Sequence, residues 1–490
     1  MKKKLIFIGG AVLQLSLVGL IAGTAMAGKP DSTTGGKPGK ATTYKVIAYN
    51  DLGMHCACPT SSSFLLLPPF NTIRAQVLQI GANDPVLPTS GITVTYQMVE
   101  NTDAGLINDA YFSTWIAYAP KIFPGYQPLV GGKVVGLTGN GLSGTMKYDA
   151  LSKSWIATGI PAFPPVTGTS TDVMTDPLGG PNRTPYLTAN VTVKNTAGAT
   201  LATTATTVPV AFGGCCNCHL DVAVANGFPR TPDGSFQAMG KLHGQNSSGV
   251  NIALLDPDGD GGGGPIRCSE CHLDPAMGET VAPGFANVHP NFQILPGATF
   301  TKADVKVSTL TFSQVLHNFH SGNAKVVAMD PNIDTHCYAC HPGNGIECYR
   351  GSMKIDGATC VTCHGTLSVR ASSGQTAQPW NAATLPSCNK PAMGVTGSCH
   401  SSTTYPDGGG WASSFEGKYI NNRGHKGSIL CTTCHGSPHA DAPAETAKDN
   451  VQNLALQGSA RALGKCSVCH PHKSTTWGTP PHISGGTVLP

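Results

Sequence analysis

The sequence contains few charged residues: Asp, Glu, Lys and Arg together make up 12% of its 490 residues, about half of the usual share. Its formal net charge is +4, and three of the positive charges belong to Lys2, Lys3 and Lys4. The rest of the chain is therefore close to neutral and lacks the clustered basic charge that nucleic-acid binding requires. We do not expect a nucleic-acid partner.

Beyond its N-terminus, the sequence also lacks an apolar run long enough to cross a membrane. The one apolar run extends from Leu5 to about Ala22, after the lysines and before Ala25-Met26-Ala27. This order is typical of a secretory signal peptide, so we predict a signal peptide over residues 1–27 rather than a membrane anchor. Gly28 follows the predicted cleavage position, which argues against a lipoprotein. We expect an exported protein, located in the periplasm, at the outer cell surface or outside the cell.

Cysteine, in contrast, is abundant. The pattern C-x-x-C-H occurs six times, and we number these motifs 1 to 6: Cys215/Cys218/His219, Cys268/Cys271/His272, Cys337/Cys340/His341, Cys360/Cys363/His364, Cys431/Cys434/His435 and Cys466/Cys469/His470. This pattern predicts c-type haem, in which two thiols bond to the porphyrin and the histidine binds iron. C-x-x-C alone also occurs in zinc sites and thiol redox pairs, but a histidine after all six copies favours haem.

A seventh, stretched motif consists of Cys388 and Cys399-His400, with ten residues between the two thiols. Thioether formation requires only that both sulfurs reach the porphyrin, and a longer spacer can bulge outward. We therefore predict seven haems. The alternative is a disulfide from Cys388, for example to Cys348, which leaves six haems.

Four cysteines lie outside all seven motifs: Cys56, Cys58, Cys216 and Cys348. In an oxidising compartment some of these are expected to form disulfides. The sequence does not identify the partners, although Cys56 and Cys58 are too close in sequence for an easy mutual bridge.

Ten histidines lie outside the motifs, and seven irons need only seven second ligands. We predict that most irons bind two histidines, which keeps the reduction potential lower than a methionine ligand would. The predicted second ligands are His55, His243, His317, His320, His425, His439 and His472. His482 competes with His472 for the last site, His336 is an alternative ligand for a neighbouring haem, and His289 ranks lowest.

Two of these predictions come from local context. Residues 311–320 predict a short helix on which His317 and His320, three positions apart, share a face and reach two adjacent irons. His55 lies in the unusual stretch NDLGMHC, residues 50–56, where it is either a ligand from outside the motif region or a structural histidine.

The pattern of apolar residues divides the chain. Residues 28–42 are rich in Gly, Lys, Pro, Ser and Thr and predict a flexible leader. Residues 43–212 contain no motif, and β-branched and aromatic runs between turn signals predict an N-terminal antiparallel β-sandwich-like domain. The runs are residues 44–49, 72–80, 92–99, 134–137, 142–148, 186–193 and 203–210. The predicted role of this β domain is docking, or covering the first haem.

Gly213-Gly214 marks the predicted start of a second domain, residues 213–490, which we expect to be a loop-rich multihaem cytochrome c domain with short helices. Seven sites in so short a chain leave too few residues for an ordinary apolar core, so porphyrins must fill it. Within this domain, residues 256–261 resemble the start of a calcium loop, but Arg267 occupies the position where an EF-hand has glutamate. We interpret the stretch as a flexible linker, with calcium binding as the alternative.

Several stretches resemble secreted multihaem c-type cytochromes of metal-reducing, Geobacter-like bacteria. They are NDLGMHC at residues 50–56, CYACHPG at 337–343 with CYRG at 348–351, CVTCHG at 360–365, QPW at 378–380, GHKG at 424–427 and CTTCHGSPHA at 431–440. The resemblance covers nearly the whole chain after the signal peptide. It implies electron transfer outside the cytoplasm, with other redox proteins or extracellular acceptors as partners. In such relatives an ordinary C-x-x-C-H follows the Pro-Trp segment, which supports a haem site with an insertion at Cys388.

Three functions remain open from the sequence. The first is electron transfer through closely spaced haems, because no acid–base or nucleophile arrangement stands out. The second is a multihaem oxidoreductase with an open iron that acts on a small inorganic substrate, although the C-x-x-C-K site of multihaem nitrite reductases is absent. The third is a subunit of a cytochrome filament, in which a histidine from one subunit binds the haem of the next.

Overall fold

The structure is a computed structural model. It describes residues 42–81, 85–167, 173–243, 249–342, 346, 348–373, 386–388, 391–396, 423–424, 428–470, 483–484 and 487–488. Outside these residues lie the predicted signal peptide, nearly all of the predicted leader, and the predicted ligands and thiol Cys399, His400, His425, His472 and His482. The described residues belong to one compact unit, so the two predicted domains pack together.

The strands form two larger sheets and several short two-stranded ladders. In chain order they are β1 (Thr43–Asn50), β2 (His55–Ala57), β3 (Phe64–Leu65), β4 (Asn71–Ile80), β5 (Ile92–Met98), β6 (Leu129–Val130), β7 (Lys133–Val134), β8 (Ser143–Thr145), β9 (Lys147–Asp149), β10 (Ser154–Ile160), β11 (Tyr186–Asn195), β12 (Thr200–Phe212), β13 (Leu255–Asp256), β14 (Ile266–Arg267), β15 (Gln293–Ile294), β16 (Arg423–Gly424), β17 (Ile429–Leu430), β18 (Ile483–Ser484) and β19 (Thr487–Val488). One sheet has the order β1-β4-β10-β9 and the other β2-β12-β11-β5-β8.

The two sheets enclose one apolar core. On β11, Leu187, Ala189, Val191 and Val193 alternate with more polar residues and are completely buried. They share their core with apolar side chains of the other sheet, such as Ile73. Alternation of this kind gives each strand one buried face, which is the basis of a sandwich.

The second sheet is mixed rather than purely antiparallel, which corrects the sequence prediction. Residues 210–212 of β12 extend beyond its pairing with β11, which ends at Pro209, and β2 pairs with them in parallel. The free edge at the end of β12 therefore accepts a short strand that the sequence pattern did not predict.

The helices are short. In chain order they are α1 (Asp103–Ile107), α2 (Phe112–Ile122), α3 (Cys216–Ala225), α4 (Pro232–His243), α5 (Phe285–Val288), α6 (Phe312–Gly322), α7 (Ala324–Met329), α8 (Ser352–Ile355), α9 (Cys360–His364), α10 (Leu367–Ser372), α11 (Cys431–His435) and α12 (Ala447–Gln457). Helix α2 lies within the region predicted to be all β, and it buries Phe112, Trp115, Ala119 and Ile122 at helical spacing. Among the described residues, we find no helix with the length and apolarity needed to span a membrane.

Helices α6 to α10 bury little, in contrast to α4, which buries Phe236 and Ala238. Helices α6 to α10 contain no buried residue, although several of their side chains are apolar. On α6, the capping box of Thr311 and Gln314 starts the helix where the sequence predicts one. Leu316 and Phe319 of α6 nevertheless stay 38% and 37% exposed. The described part of the chain does not cover these apolar side chains.

Candidate functional site: the paired histidines

Each C-x-x-C-H motif of the described chain forms one tight turn. Motifs 1, 4 and 5 are α-helical, whereas motifs 2, 3 and 6 form short 3₁₀ turns. In motif 3, for example, His341 N donates to Cys337 O over 2.9 Å. The turn therefore brings both thiols and the histidine together, as attachment of a single group requires.

Four motif histidines each face a second histidine across a gap of similar width. The distances between ring centroids are 6.3 Å for His219 and His320, 6.3 Å for His272 and His243, 6.5 Å for His341 and His317, and 6.0 Å for His364 and His439. Two imidazoles that bind one metal from opposite sides, with bonds of about 2 Å, place their centroids about 6 Å apart. Each gap therefore has the width of an iron with two histidine ligands.

The partner histidines are held by their Nδ1 atoms. Nδ1 of His243 donates to Val250 O (3.0 Å), Nδ1 of His320 to Leu316 O (2.7 Å) and Nδ1 of His439 to Leu52 O, while Nδ1 of His317 is 3.2 Å from Ser313 Oγ. A histidine that donates through one ring nitrogen binds metal through the other. These contacts therefore fix each ring in an orientation suited to ligation through Nε2.

Burial keeps three of the facing rings neutral. Burial first, and then the facing imidazole, lowers the pKa of His219 and of His317 to about 4 and that of His364 to about 3. An imidazole must be neutral to bind a metal. At neutral pH these side chains are thus in the ligating form.

A haem fits the described residues on two further grounds. The buried Nδ1 atoms of His219 and His272 have no hydrogen-bond partner among the described atoms, which is unusual for buried polar groups unless another component completes the site. Leu316 and Phe319, which are more than a third exposed, lie on the helix that carries His317 and His320. A large apolar ring between the facing imidazoles would supply the missing cover.

Helix α6 serves two motifs, as the spacing of its histidines predicts. His320 faces His219 of motif 1, and His317, three positions earlier, faces His341 of motif 3. Residues three apart lie on one side of a helix. The helix therefore holds the second ligands of two neighbouring sites at a fixed separation.

Motifs 1 and 3 also touch directly. Gly214 N donates to Cys340 O over 2.7 Å. A Cβ atom at position 214 would lie 2.6 Å from Ala339 O, so only glycine permits the two backbones to come this close.

Motifs 2 and 4 lie next to the pair formed by motifs 1 and 3. Motif 2 lies at the start of α6, where Phe312 N donates to Leu273 O over 2.8 Å. Motif 4 meets motif 3 through a hydrogen bond between the Cys337 and Cys360 thiols.

Motifs 4, 5 and 6 follow one another. His439, which faces His364 of motif 4, comes four residues after His435 of motif 5. Motif 5 in turn contacts the segment before motif 6, because Leu463 N donates to Cys434 O over 2.9 Å. Neighbouring motifs thus run from motif 2, through motifs 1 and 3, to motifs 4, 5 and 6.

Cys363 of motif 4 and His470 of motif 6 both contact other residues of the chain. The sequence predicts a haem thioether for Cys363 and an iron ligand for His470. The backbone O of Cys363 accepts from Ala392 N over 2.8 Å. His470 N donates to Cys466 O over 2.8 Å, which closes the turn of motif 6. The haem-binding roles of these two residues therefore stay predictions.

The second ligands of motifs 5 and 6 are not tested by the structure. The nearest candidates in sequence, His425 and His472, lie outside the described residues. The pairing of His435 and of His470 with a second histidine consequently depends on the sequence prediction, in contrast to the four pairs whose rings face each other.

The first sheet and the 50–55 turn position two of these sites. Gly53 has a φ of +89°, and a Cβ there would lie 2.5 Å from His439 Cβ, so this turn packs directly on the ligand of motif 4. Gln76 of β4 accepts from Leu430 N (3.0 Å) and Thr433 Oγ1 (2.5 Å), which anchors motif 5. Sequence reasoning missed Gln76, because a glutamine on a strand is ordinary.

Arg350 joins the two regions. It is buried and forms a two-pronged ion pair with Asp449 of α12, at 2.7 and 3.0 Å, and its guanidinium lies 4.8 Å from the ring centre of Tyr186 on β11. Its Nη1 also donates to Gly53 O over 2.7 Å, and its backbone N–H donates to His439 O. Arg350 therefore fixes the turn that holds His439.

Three histidines occupy other environments. His55 is buried with Nε2 3.3 Å from Asp51 Oδ1, and His289 is partly buried with Nε2 3.2 Å from Glu270 Oε1. His336 is half exposed, with Nδ1 2.5 Å from Asp330 Oδ2. Among the described residues, we find no motif histidine facing any of the three rings, and the prediction that His55 is a ligand gains no support from its contacts.

The described part of the stretched motif is limited to its first thiol. Cys388 shares a hydrogen bond with Cys431, the first thiol of motif 5. The same relation joins the first thiols of motifs 3 and 4. The haem-binding role of Cys388 stays a prediction.

Residues 256–261 form a folded loop that adjoins a strand pair. Asp256 is buried and accepts from Gly259 N and Gly261 N, and its carboxylate lies close to those of Asp258 and Asp260. The Lys121 ammonium contacts the last two carboxylates at 2.9 and 3.4 Å. A protein cation thus already balances part of the negative charge of the group that the sequence offers for calcium.

Comparisons with known proteins found no matching protein-family model, no matching curated protein and no matching solved structure. The functional assignment therefore depends on the motifs and on the geometry of the paired histidines. The resemblance to secreted multihaem cytochromes stays a prediction.

Proposed function

We propose that this chain is an exported electron-transfer protein with covalently attached c-type haem at motifs 1 to 6 and at the stretched motif. The observation that carries the proposal is the set of four histidine pairs with centroids 6.0 to 6.5 Å apart, each aligned with a C-x-x-C-H turn. Zinc knuckles and thiol redox pairs do not require a second histidine at this distance.

Haem bound at these sites supplies an iron that alternates between the ferric and ferrous states and so accepts and passes on single electrons. The residues of the chain hold both thiols on one turn, orient the second imidazole through Nδ1 and keep the rings neutral. Two histidines on one iron would leave no open position for a substrate, which favours electron transfer over catalysis. The unbroken succession of neighbouring motifs suits transfer along the chain.

The expected partners are other redox proteins or extracellular electron acceptors, as the sequence resemblance implies. Self-assembly into filaments is an additional hypothesis from the same resemblance. The near-neutral chain gives no reason to expect nucleic acid as a partner.

The function is tested by removing one second ligand. In the His439→Ala variant, the iron of motif 4 loses the histidine opposite His364 and gains an open position. We expect one haem per molecule to become high-spin when oxidised and to bind carbon monoxide when reduced. The readouts are the absorption and electron paramagnetic resonance spectra, together with a carbon monoxide titration.

The matched control is His289→Ala, which removes a partly buried histidine that contacts Glu270 instead of facing a motif histidine. We expect this variant to stay low-spin throughout. A His439→Ala protein that binds no more carbon monoxide than His289→Ala contradicts the assigned pair. Carbon monoxide binding by the unaltered protein favours an oxidoreductase with an open iron, and the intact mass separates seven haems from six.

A further inference from the structure

The four cysteines outside the motifs lie at the contact between the β region, residues 43–212, and the motif region, residues 215–470. All four are free thiols in the structure. Cys56 and Cys58 belong to β2 and the residue after it, whereas Cys216 and Cys348 belong to the motif region. Their positions group them into two couples.

Cys56 and Cys348 form the first couple. Arg350 Nη1 donates both to Gly53 O (2.7 Å) and to Cys348 O (3.0 Å), so one nitrogen atom holds these two backbone segments together. Cys348 also packs against the apolar core that contains Met54. Burial, and then the nearby Cys348 sulfur, raises the pKa of Cys56.

Cys58 and Cys216 form the second couple. Both line one small pocket, together with the apolar side chain of Phe236. The backbone beside them is joined by a hydrogen bond from Gly213 N to Ala57 O (3.4 Å). Burial, and then the nearby Cys58 sulfur, raises the pKa of Cys216 to about 12.

We propose that the mature protein contains two disulfide bridges, Cys56–Cys348 and Cys58–Cys216, which tie the β region to the motif region. The inference rests on the proposed function in one respect, because haem attachment occupies the fourteen motif thiols and leaves only these four. An exported protein matures where disulfides form and persist. Each bridge closes a very long loop, which is the case in which a cross-link restricts the unfolded chain most.

Each bridge forms by exchange with a disulfide of an oxidising thiol–disulfide protein. One cysteine thiolate attacks the donor disulfide, which gives a mixed disulfide and releases one donor thiol. The second cysteine thiolate then attacks the mixed disulfide and releases the other donor thiol. The chain loses two protons and two electrons, and the donor disulfide is reduced to a dithiol.

The test begins with the unaltered holoprotein. It is denatured in acid, alkylated without reduction and digested, and its peptides are identified by mass spectrometry. We expect no alkyl group on Cys56, Cys58, Cys216 or Cys348. We also expect one cross-linked assembly that joins the peptides of residues 56–58, 216 and 348 and separates on reduction. Alkylation of all four residues overturns the proposal.

Single variants identify the pairing, because each releases the thiol of the lost partner. Cys348→Ser is expected to make Cys56 alone alkylatable, and Cys216→Ser to do the same for Cys58. If Cys348→Ser instead releases Cys58, the pairing is crossed and the proposal is wrong. The double variant Cys56→Ser/Cys348→Ser is the matched control and should expose no new thiol.

The proposed function and the bridges fail in distinguishable ways. Haem is counted on the same sample from the mass of the motif peptides. Six or seven haems with four alkylated cysteines overturn only the bridges, whereas motif peptides without haem overturn the function. If a variant does not accumulate, fragmentation of the cross-linked peptides from the unaltered protein still decides the pairing.

Discussion

The β region and the motif region bury their apolar side chains in different ways. In the β region, two sheets enclose side chains such as Ile73, Leu187 and Val193, which are completely buried. In the motif region, helices α6 to α10 contain no buried residue, and Leu316 and Phe319 stay more than a third exposed. The core of the β region consists of its own side chains, whereas helices α6 to α10 present apolar side chains that the described part of the chain does not cover.

This difference indicates how the molecule reaches its folded state. Burial of apolar surface is the main favourable contribution to folding, so a region that lacks it needs a bound group. Under the proposed function, haem supplies that contribution to the motif region. The β region then acts as a preformed support, and its 50–55 turn and Gln76 hold the ligand of motif 4 and the turn of motif 5.

The most severe test of this difference between the β region and the motif region is to produce the full chain without haem attachment. We expect the β region to remain folded and helices α6 to α10 to unfold, because these helices contain no buried residue. Limited proteolysis should leave a protected fragment that covers residues 43–212, while cleavage begins within α6 to α10.

The haem-loaded chain is the control, and both of its regions should resist the protease. Equal protection of the two regions in the haem-free chain breaks the comparison, because the motif region would then have sufficient apolar packing of its own. Equal loss of protection in both regions of the haem-free chain would show that the β region depends on haem as well.

Part of the β region was predictable because strands such as β5 and β11 alternate between buried and less buried residues. The parallel pairing of β2 with β12 was not predictable, because a strand of three residues has too short a pattern to identify its partner. Helix α2 was missed although its four buried residues have helical spacing, because the surrounding runs favour strands.

The candidate site was predictable in part. The motif spacing and the i,i+3 spacing of His317 and His320 are local, so the sequence carries them. The facing of His364 by His439 depends on how Gly53 and Arg350 place a distant loop, which no local pattern encodes.

The connection between the two regions is the next test. In Arg350→Met, the Asp449 carboxylate stays buried, at 7% exposed, but loses its cation. Removing one partner of a buried ion pair costs about 3–5 kcal/mol. We expect the free energy of unfolding, measured by denaturant titration of the holoprotein, to fall by that amount.

The matched control is Lys354→Ala, which removes a more exposed ion pair with Glu445 (2.8 Å) in the same part of the molecule. Exposed pairs contribute about 0–1 kcal/mol. The assigned role of Arg350 is wrong if its replacement costs no more than that of Lys354.

The smallest expected effect is the pH-dependent contribution of Asp149 to the stability of the β region. Its loss should leave the haem sites unchanged. Burial opposes ionisation of Asp149, but hydrogen bonds from Ser152 and Leu151 and the charge of Arg74 outweigh it and lower its pKa below 3.8. A carboxyl whose folded-state pKa is depressed stabilises the fold above its unfolded-state value and loses that contribution as the pH falls through the folded-state value.

Asp149→Asn should therefore lower the free energy of unfolding by about 1 kcal/mol at pH 7, and the deficit should shrink as the pH falls below 3.8. Asp221→Asn is the control, because its pair with Arg230 is largely exposed and should contribute no measurable stability. Denaturant titrations across this pH range measure the deficit, and absorption spectra at neutral pH should stay those of the unaltered protein.

A deficit that is constant with pH assigns the effect to the shape of the turn instead of the charge. A change in the haem spectrum at neutral pH shows that the β region and the motif sites are coupled more tightly than their separate packing implies.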